Sequence, residues 1–240
     1  MNAQLETGLT VAAVALTSYL IGSIPFGLII GKLKGKDIRK EGSGNIGATN
    51  VTRVVGKGWG KLCFVLDFLK GAIPVLLVSY VTPKELFPFL TGLVPAAWQH
   101  FMDSVPDPLK VLPSLAAFAA VAGHIWPVYL KFKGGKGVST AAGAILALNP
   151  FALIGAAIIW VVTFLISRYV SLASIFAAAS LPVFCFIYSY VFSWEPGGFS
   201  LAREILLIVL AALTILKHTS NIKRLLNGTE NRFEKKKDAE

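Results

Sequence analysis

Long apolar runs dominate the chain and alternate with short polar segments that are rich in glycine and basic residues. The runs are Val11–Ile30, Leu62–Val81, Val111–Leu130, Val138–Ile166, Val170–Trp194 and Ile205–Leu216. Several of them contain the roughly 20 residues that a helix needs to cross the hydrocarbon core of a bilayer. They lack the alternation of apolar and polar residues that is typical of a membrane β-barrel. The pattern predicts an all-α, polytopic integral membrane protein.

The fourth run is interrupted by Asn149-Pro150. Proline cannot donate a backbone hydrogen bond inside a helix, and it disfavours helical backbone at the preceding residue. We therefore divide this run into two helices, which gives about seven transmembrane helices in all. The segment Leu86–His100 is too short and too rich in proline for an ordinary crossing. We expect it to form an extracytoplasmic excursion.

The net charge of +10 is concentrated in three connections. Basic residues cluster in 32–61, in 131–136 and from Lys217 onward, whereas the other connections are neutral or slightly acidic. Because cytoplasmic loops of membrane proteins are enriched in lysine and arginine, these three regions are expected in the cytoplasm and the N-terminus outside. Such an arrangement needs an odd number of crossings, in agreement with seven. For most of these lysines, a simple topological role is as good an interpretation as substrate binding.

The first polar segment is GSGNIGATNVTR, from Gly42 to Arg53. Glycine allows close approach of the backbone, and successive amide groups can converge on an anion. Arg53 adds a planar, permanently charged guanidinium that suits phosphate. We interpret the segment as an anion-binding loop, and the alternative is a solvated connection between helices. Its candidate site residues are Gly42, Ser43, Gly44, Asn45, Gly47, Thr49, Asn50 and Arg53.

The second polar segment, Gly123 to Thr140, contains Lys-Gly-Gly-Lys-Gly directly before an apolar run. A helix that begins after such a loop favours an anion at its N-terminus. The segment is not a Walker A motif, because Gly137 follows the lysine where serine or threonine belongs. Its candidate phosphate-binding residues are Lys133, Gly134, Gly135, Lys136 and Gly137. His124 is equally well explained as a substrate contact or as a packing residue.

The third polar segment is KHTSNIKRLLNGTE, in which His218 and Asn221 lie three residues apart. They share one helical face if the last helix continues that far. Asp67 and Lys70 enter the second apolar run, where ionisable residues are costly and mark a functional site or an ion pair. An Asp67–Lys70 pair that orients the first loop is the plainer interpretation.

Two anion-binding loops on one membrane face predict a substrate with more than one phosphate, or two phosphorylated substrates. The three histidines are scattered and the acidic residues do not cluster, so no metal site is expected. Nucleic acid is also not expected, because the glycine loops lack interleaved aromatic residues. A transporter would need similar loops, but the chain lacks the matched halves of such proteins. A non-catalytic lipid-binding scaffold is disfavoured by three separate motifs on one face.

In order and spacing, GSGNIGATNVTR, DFLKG, GHIWPVYLKFKGGKGVST and KHTSNIKRLLNG resemble the bacterial membrane acyl-phosphate:glycerol-3-phosphate acyltransferases, the PlsY family. The resemblance runs from about Ile21 to Gly228. It implies a seven-helix enzyme of the bacterial inner membrane with its active site facing the cytoplasm. It also implies transfer of a fatty acyl group from acyl phosphate to the sn-1 hydroxyl of glycerol 3-phosphate. The products would be lysophosphatidic acid and inorganic phosphate, in phospholipid biosynthesis.

By motif position, the resemblance implies catalytic roles for these residues: Ser43, Arg53, Lys136, His218 and Asn221. Asp67, Lys70 and His124 are expected to support them. The resemblance implies no metal or other cofactor. The expected partners are acyl phosphate, glycerol 3-phosphate and the lipid bilayer, and the enzyme that makes acyl phosphate is a further candidate. We expect one transmembrane acyltransferase domain over residues 1–228 and a charged, disordered cytoplasmic tail over 229–240.

Many acyltransferases activate a hydroxyl with a His-x-x-x-x-Asp pair, which this chain lacks. The residues five positions after its three histidines are Val105, Tyr129 and Lys223. An acyl phosphate already carries a good leaving group, so it needs less assistance from a base. We therefore expect positioning to dominate the reaction, while Lys136, Arg53 and backbone amides stabilise developing negative charge.

Overall fold

The computed structural model describes residues 3–81, 111–191 and 201–233. The regular structure of these residues is helical throughout, which confirms the predicted all-α class. The helices are α1 (Ala3–Gly22), α2 (Phe26–Leu33), α3 (Ala48–Val54), α4 (Lys57–Val81), α5 (Leu112–Ile125), α6 (Val138–Leu148), α7 (Pro150–Ser167), α8 (Val170–Phe186), α9 (Leu201–Lys217) and α10 (Thr219–Leu226). A short 3₁₀ turn covers Val128–Leu130, and α8 continues into a π-helical turn at Ile187–Val191. The predicted excursion at Leu86–His100 lies outside the described residues.

Five helical stretches within the described residues are long and apolar enough to cross a membrane. A sixth span results if α9 and α10, which are bent by 54° relative to each other, together form one broken crossing. The outer surfaces of these helices are apolar: Ile166 is 77% exposed and Leu16 is 58% exposed. Such side chains suit a protein whose outer solvent is lipid.

The predicted break at Asn149-Pro150 is confirmed, since α6 ends at Leu148 and α7 begins at Pro150. Asn149 is buried there, and its Oδ1 accepts a hydrogen bond from the Ala152 amide at 2.9 Å. This is the usual way in which asparagine satisfies a free amide at a helix N-terminus. The Nδ2 atom of Asn149 also donates to Cys185 Sγ at 3.4 Å. The break is therefore a buried joint that is bonded to α8.

Glycine permits the close packing of α4 against α6. A Cβ atom on Gly71 would collide with the carbonyl oxygen of Thr140, and a Cβ on Gly143 would collide with that of Phe68. Lipid provides no hydrophobic force between helices, so close contact through small residues is a main source of attraction in a bilayer. This packing holds the N-terminus of α6, and the glycine-rich loop before it, beside α4.

Candidate active site

A polar cavity of about 170 Å³ lies where the three polar segments meet. The predicted site residues that line it are Ser43, Asn45, Gly47, Thr49, Asn50, Arg53, Asp67, His124, Lys136, Gly137, His218 and Asn221. Tertiary structure thus unites segments that are far apart along the chain. The predicted residues Gly42, Gly44, Lys70, Lys133, Gly134 and Gly135 do not line the cavity.

The first loop is folded around the buried side chain of Asn50. The Nδ2 atom of Asn50 donates to the carbonyl oxygens of Ile38 and Asn45, each at 2.8 Å. Its Oδ1 accepts from the Ser43 amide at 2.8 Å. A Cβ on Gly42, which has a φ of +61°, would collide with that same Oδ1 atom. Asn50 therefore organises the loop, although the sequence indicated that it would be a donor for the substrate.

Arg53 extends from the last turn of α3 into the cavity. Its side chain makes no hydrogen bond or ion pair within the parts of the chain that the structure describes. Desolvation lowers the pKa of Arg53, but a guanidinium keeps its charge in proteins. Arg53 is therefore a cation that is available to bind an anion.

The glycine-rich loop supplies the cavity with Lys136 and Gly137 only. The Gly135 amide donates to the His124 carbonyl at 3.0 Å, and a Cβ on Gly135 would collide with the His124 ring. Gly134 lies against the same carbonyl, and Lys133 is exposed. In this structure the two glycines pack the loop onto α5, and the Gly135 amide is bonded to His124, so this amide is not free to bind a phosphate.

Lys136 is held in a hydrogen-bonded network that spans several elements. Its Nζ donates to Oδ1 of Asn221, and Nδ2 of Asn221 donates to Glu230 Oε1 at 2.7 Å. Glu230 also accepts from Ser171 Oγ at 2.9 Å and from Arg224 Nε at 2.7 Å. The network joins the loop before α6 to α8, α10 and the segment after α10.

The charges in this network shift one another's pKa values. Burial lowers the pKa of Lys136 to about 8, with Glu230 opposing the shift and Arg224 and Arg53 adding to it. Burial alone would raise the pKa of Glu230, but its hydrogen bonds from Asn221, Arg224 and Ser171 hold it below the usual range. At neutral pH the site therefore contains a lysine cation beside a carboxylate anion.

His218 lies at the joint between α9 and α10. The helix axis bends there by 54°, so the last helix does not continue straight through His218 and Asn221, but both residues line the cavity. The Nδ1 atom of His218 lies 2.7 Å from the Thr214 carbonyl oxygen. Because a carbonyl only accepts, Nδ1 carries a proton and Nε2 is left available for another partner.

The predicted ion pair between Asp67 and Lys70 is present, with 2.7 Å between Lys70 Nζ and Asp67 Oδ1. Both side chains are buried. Lys70 also donates to the Ile24 carbonyl at 2.7 Å, and His124 Nδ1 lies 3.7 Å from Asp67 Oδ1. The pair thus connects α4 to the turn after α1 and to α5, rather than bonding directly to the first loop.

Several cavity residues were not predicted from the sequence. Ser171 and Ser174 line the cavity from α8, and their spacing of three residues in an apolar run is a signal that could have revealed them. Phe64 and Trp160 line it as well, but they resemble any other aromatic residue in an apolar run. Glu230 was assigned to the tail, although it is the last residue of the third polar segment.

The residues directly after Gly228 pack against the helices. Glu230 is 9% exposed, and the Phe233 amide donates to the Arg168 carbonyl at 3.0 Å. Residues 229–233 therefore belong to the packed structure, so a disordered tail that begins at residue 229 does not describe them. The remainder of the predicted tail, 234–240, lies outside the described residues.

An apolar cavity of about 310 Å³ adjoins the polar one. The two cavities share four residues at their junction: Phe64, Val138, Trp160 and Ser174. Trp160 Nε1 donates to Ser174 Oγ at 3.2 Å across this junction. The remaining lining residues of the apolar cavity are Ala141, Ala142, Ile145, Leu153, Ala156, Ala157, Val161, Ala177, Ala178, Leu181 and Thr214.

The helices and the two cavities together define a class of protein. It is a helical membrane protein in which a polar pocket, lined by the cations Arg53 and Lys136 as well as by acidic residues, adjoins an apolar pocket. No group of three or more histidine, cysteine, aspartate or glutamate side chains that could hold a metal ion is found in the described ranges.

The chain belongs to the glycerol-3-phosphate acyltransferase family, whose sequence profile matches residues 12–228. The glycerol-3-phosphate acyltransferase of Aquifex aeolicus is 43% identical over 218 residues, which cover 90% of this chain and 95% of that protein. The Trichlorobacter lovleyi enzyme is 43% identical over 216 residues, which cover 90% of this chain and 94% of that protein. The resemblance identified from the motifs is thereby confirmed.

Two crystal structures of PlsY (YgiH), an integral membrane glycerol 3-phosphate acyltransferase, have the same fold. The glycerol 3-phosphate form has a TM-score of 0.77 to this chain, with 39% identity and coverage of 94% of this chain and 96% of that one. The lysophosphatidic acid form has a TM-score of 0.75 with the same identity and coverage. This chain is therefore an integral membrane acyltransferase that acts on glycerol 3-phosphate, in phospholipid biosynthesis.

Proposed function

We propose that the enzyme transfers a fatty acyl group from acyl phosphate to the sn-1 hydroxyl of glycerol 3-phosphate. The observation that carries this proposal is the junction between the polar cavity, which contains Arg53 and Lys136, and the apolar cavity. An acyl phosphate has an anionic head and an apolar chain, and the two cavities match these parts. The glycerol 3-phosphate and lysophosphatidic acid forms of the related structure support the acceptor and the product.

The proposed topology has seven crossings, with the N-terminus outside and the C-terminus in the cytoplasm. Five long spans, the broken α9–α10 span and the short apolar helix α6 supply this number. The exposed basic residues Lys34, Arg39 and Lys133 favour a cytoplasmic position for the loops beside the cavity. We place the enzyme in the bacterial inner membrane with its active site facing the cytoplasm, where the enzyme that makes acyl phosphate is a candidate partner.

The acyl chain of the donor would lie between α6, α7 and α8. On these helices the lining residues run from the junction inward: Val138 to Ile145, Trp160 to Leu153 and Ser174 to Leu181. Each run contains eight residues and so corresponds to about 10 Å of helix from its first residue to its last. The reacting carbonyl would then lie at the junction, beside the polar cavity.

Arg53 and Lys136 would bind the substrate phosphates. Arg53 has no competing ion pair within the described residues, and Lys136 is oriented by Asn221. Charge-assisted hydrogen bonds of this kind are the stronger ones in proteins. They would hold the two substrates together and stabilise the negative charge that develops on the carbonyl and phosphate oxygens.

In the proposed reaction, the sn-1 hydroxyl oxygen attacks the carbonyl carbon of the acyl phosphate. A carbon–oxygen bond forms, the bond from that carbon to the phosphate oxygen breaks, and its electron pair leaves with the phosphate. A phosphate oxygen accepts the hydroxyl proton, so no covalent acyl-enzyme is formed. Ser43, His218 and Asn221 would orient the reacting groups by hydrogen bonds. No metal or other cofactor is needed in this scheme.

The test uses the purified protein with acyl phosphate and radiolabelled glycerol 3-phosphate. Wild type should form labelled 1-acyl lysophosphatidic acid, and acyl-CoA should not replace acyl phosphate. Lys136→Met removes the charge and keeps the length of the side chain, so the rate should fall at least about a hundredfold. The matched control, Lys131→Met, alters an exposed lysine of the same loop and should retain the wild-type rate.

Three results would contradict the proposal: no labelled product, equal use of acyl-CoA, or an unchanged rate for Lys136→Met. The direct transfer has its own check within the same experiment. Mass spectrometry after a single turnover should find Ser43 without an acyl group. An acylated Ser43 would replace direct transfer by an acyl-enzyme mechanism.

A further inference from the structure

Phe233 lies five residues beyond the region that matches the family, yet it contacts the candidate site. The centroid of its ring lies 5.4 Å from Cζ of Arg53. At this distance the face of an aromatic ring attracts a guanidinium. A residue from the end of the chain is therefore placed beside a cation that the proposed reaction uses.

The Arg53 side chain has few other constraints. It is exposed at the end of the short helix α3, and no hydrogen bond or ion pair fixes its guanidinium within the described residues. A free arginine side chain has about 2 kcal/mol of rotamer entropy to lose when it is ordered. If a ring already orders the Arg53 side chain before the substrate arrives, less side-chain entropy is lost on binding.

The Phe233 ring is itself held in place. It packs edge to face against Phe164, with 5.9 Å between centroids and an angle of 74° between the ring planes. The Phe233 amide donates to the Arg168 carbonyl at 3.0 Å, and the neighbouring Arg232 Nε donates to the Ser167 carbonyl at 3.2 Å. The end of α7 therefore fixes the segment that carries the ring.

Phe164 also connects this contact with the junction between the two cavities. Its ring stacks on Trp160, with 5.1 Å between centroids. Trp160 lines both cavities and donates to Ser174 there. Trp160, Phe164 and Phe233 thus form a row of aromatic rings. The row runs from the junction, where the acyl carbonyl would lie, to Phe233.

We propose that Phe233 is a positioning residue, which holds the Arg53 guanidinium in the orientation that binds a substrate phosphate. This proposal depends on the proposed function in one respect: it assumes that Arg53 binds a substrate phosphate. Phe233 contacts no reacting atom, so its effect is exerted through Arg53.

The test compares Phe233→Ala, Phe233→Leu and Phe233→Tyr in the full-length protein, with kcat and KM measured for each substrate. Loss of the ring should raise the KM of the substrate whose phosphate contacts Arg53 by about three- to tenfold. Leucine keeps an apolar side chain but has no π face, so it should behave as alanine does. Tyrosine keeps the ring and should restore the wild-type KM. The control is Asn231→Ala, which changes an exposed neighbour in the same segment and leaves the bonds that hold Phe233 intact, so it should leave KM unchanged.

A second readout does not depend on turnover. Glycerol 3-phosphate and inorganic phosphate should raise the melting temperature of wild type more than that of Phe233→Ala. In an Arg53→Gln background, which has no cation for the ring to hold, the same Phe233 substitution should make no further difference. If wild type makes no lysophosphatidic acid but shows these melting shifts, the proposed function is refuted and the positioning role stands. Unchanged KM values and unchanged melting shifts in Phe233→Ala would overturn the positioning role, as would an equal effect of Phe233→Ala in the Arg53→Gln background.

Discussion

Lys136 shows how buried hydrogen bonds prepare a single residue for its role. Its ammonium group donates to Asn221, and Asn221 is oriented in turn by Glu230. Since Nδ2 of Asn221 is committed to the carboxylate, its Oδ1 is the atom that faces the lysine. An amide in the opposite orientation would present a donor to a cation. The Glu230 carboxylate therefore determines which end of the Asn221 amide faces Lys136.

The pKa of Lys136 leads to a prediction about pH. Burial lowers this pKa from the ordinary value of 10.5 to about 8, so the ammonium form is lost as the pH rises through about 8. We expect kcat/KM, which reports the free enzyme, to fall over this range. Glu230 opposes the shift, so Glu230→Gln should move the fall to lower pH. The measurement is the pH profile of kcat/KM, corrected for spontaneous hydrolysis of acyl phosphate.

Lys136→Arg is the control for this prediction. A guanidinium stays charged in this range, so any remaining activity should not fall near pH 8. The phosphate monoester of the substrate ionises near pH 6, which keeps its titration separate from that of the lysine. A wild-type profile that is flat up to about pH 10, near the pKa of an unperturbed lysine, would contradict the assignment.

At the scale of elements, the position of the glycine-rich loop depends on the packing of α6 against α4. Gly71 and Gly143 bring the two helices close enough for a backbone carbonyl of one to touch the glycine of the other. The loop that contains Lys136 ends at Gly137, which has a φ of +81° and directly precedes α6. Any change in the distance between α4 and α6 therefore moves Lys136 relative to the rest of the cavity.

Gly71→Ala should destabilise the protein and reduce its activity. The added Cβ would collide with the Thr140 carbonyl, and overpacking of this kind costs about 1–3 kcal/mol. Thermal denaturation in detergent should give a lower melting temperature. Gly58→Ala is the matched control on the same helix, because a Cβ there has no atom within 4 Å. Equal melting temperatures for the two variants would show that the close approach is unimportant.

At the scale of the whole molecule, eight of the described helices, α3 to α10, line a site that has a polar part and an apolar part. The loops and short helices beside α4 form the polar cavity, and α6, α7 and α8 enclose most of the apolar one. The joint at Asn149 lets α6 and α7 approach the apolar cavity from different directions. In the proposed reaction, the donor and the acceptor would meet at the junction of the two cavities.

The apolar cavity should determine which acyl chains are accepted. Ala178 lies one helical turn inward from Ser174, so Ala178→Phe would fill the cavity partway along its length. We expect a preference for shorter acyl phosphates, measured as the ratio of kcat/KM for short and long donors. Ala179→Phe is the control, because Ala179 is exposed and does not line the cavity. An unchanged ratio for Ala178→Phe would place the acyl chain elsewhere.

The amino-acid sequence alone determined the properties that depend on local pattern. The apolar runs indicated a polytopic helical protein, and proline chemistry predicted the break at Asn149-Pro150. The motifs around Ser43, Arg53 and Lys136 identified the family. Each of these signals lies within one contiguous segment, so it can be read without knowing what that segment packs against.

Tertiary structure decided how these segments share their hydrogen bonds and their space. Asn50 is committed to groups of its own loop, and Gly135 bonds to His124, because the fold of each loop brings these groups together. Glu230 was taken for part of a disordered tail, but Asn221 and Arg224 of the same polar segment donate to it, and its third donor, Ser171, comes from α8. Hydropathy likewise does not distinguish Ala178, which lines a cavity, from Ala179, which faces outward. Composition specifies that a side chain prefers an apolar environment, and only packing specifies whether that environment is lipid, the protein interior or a substrate.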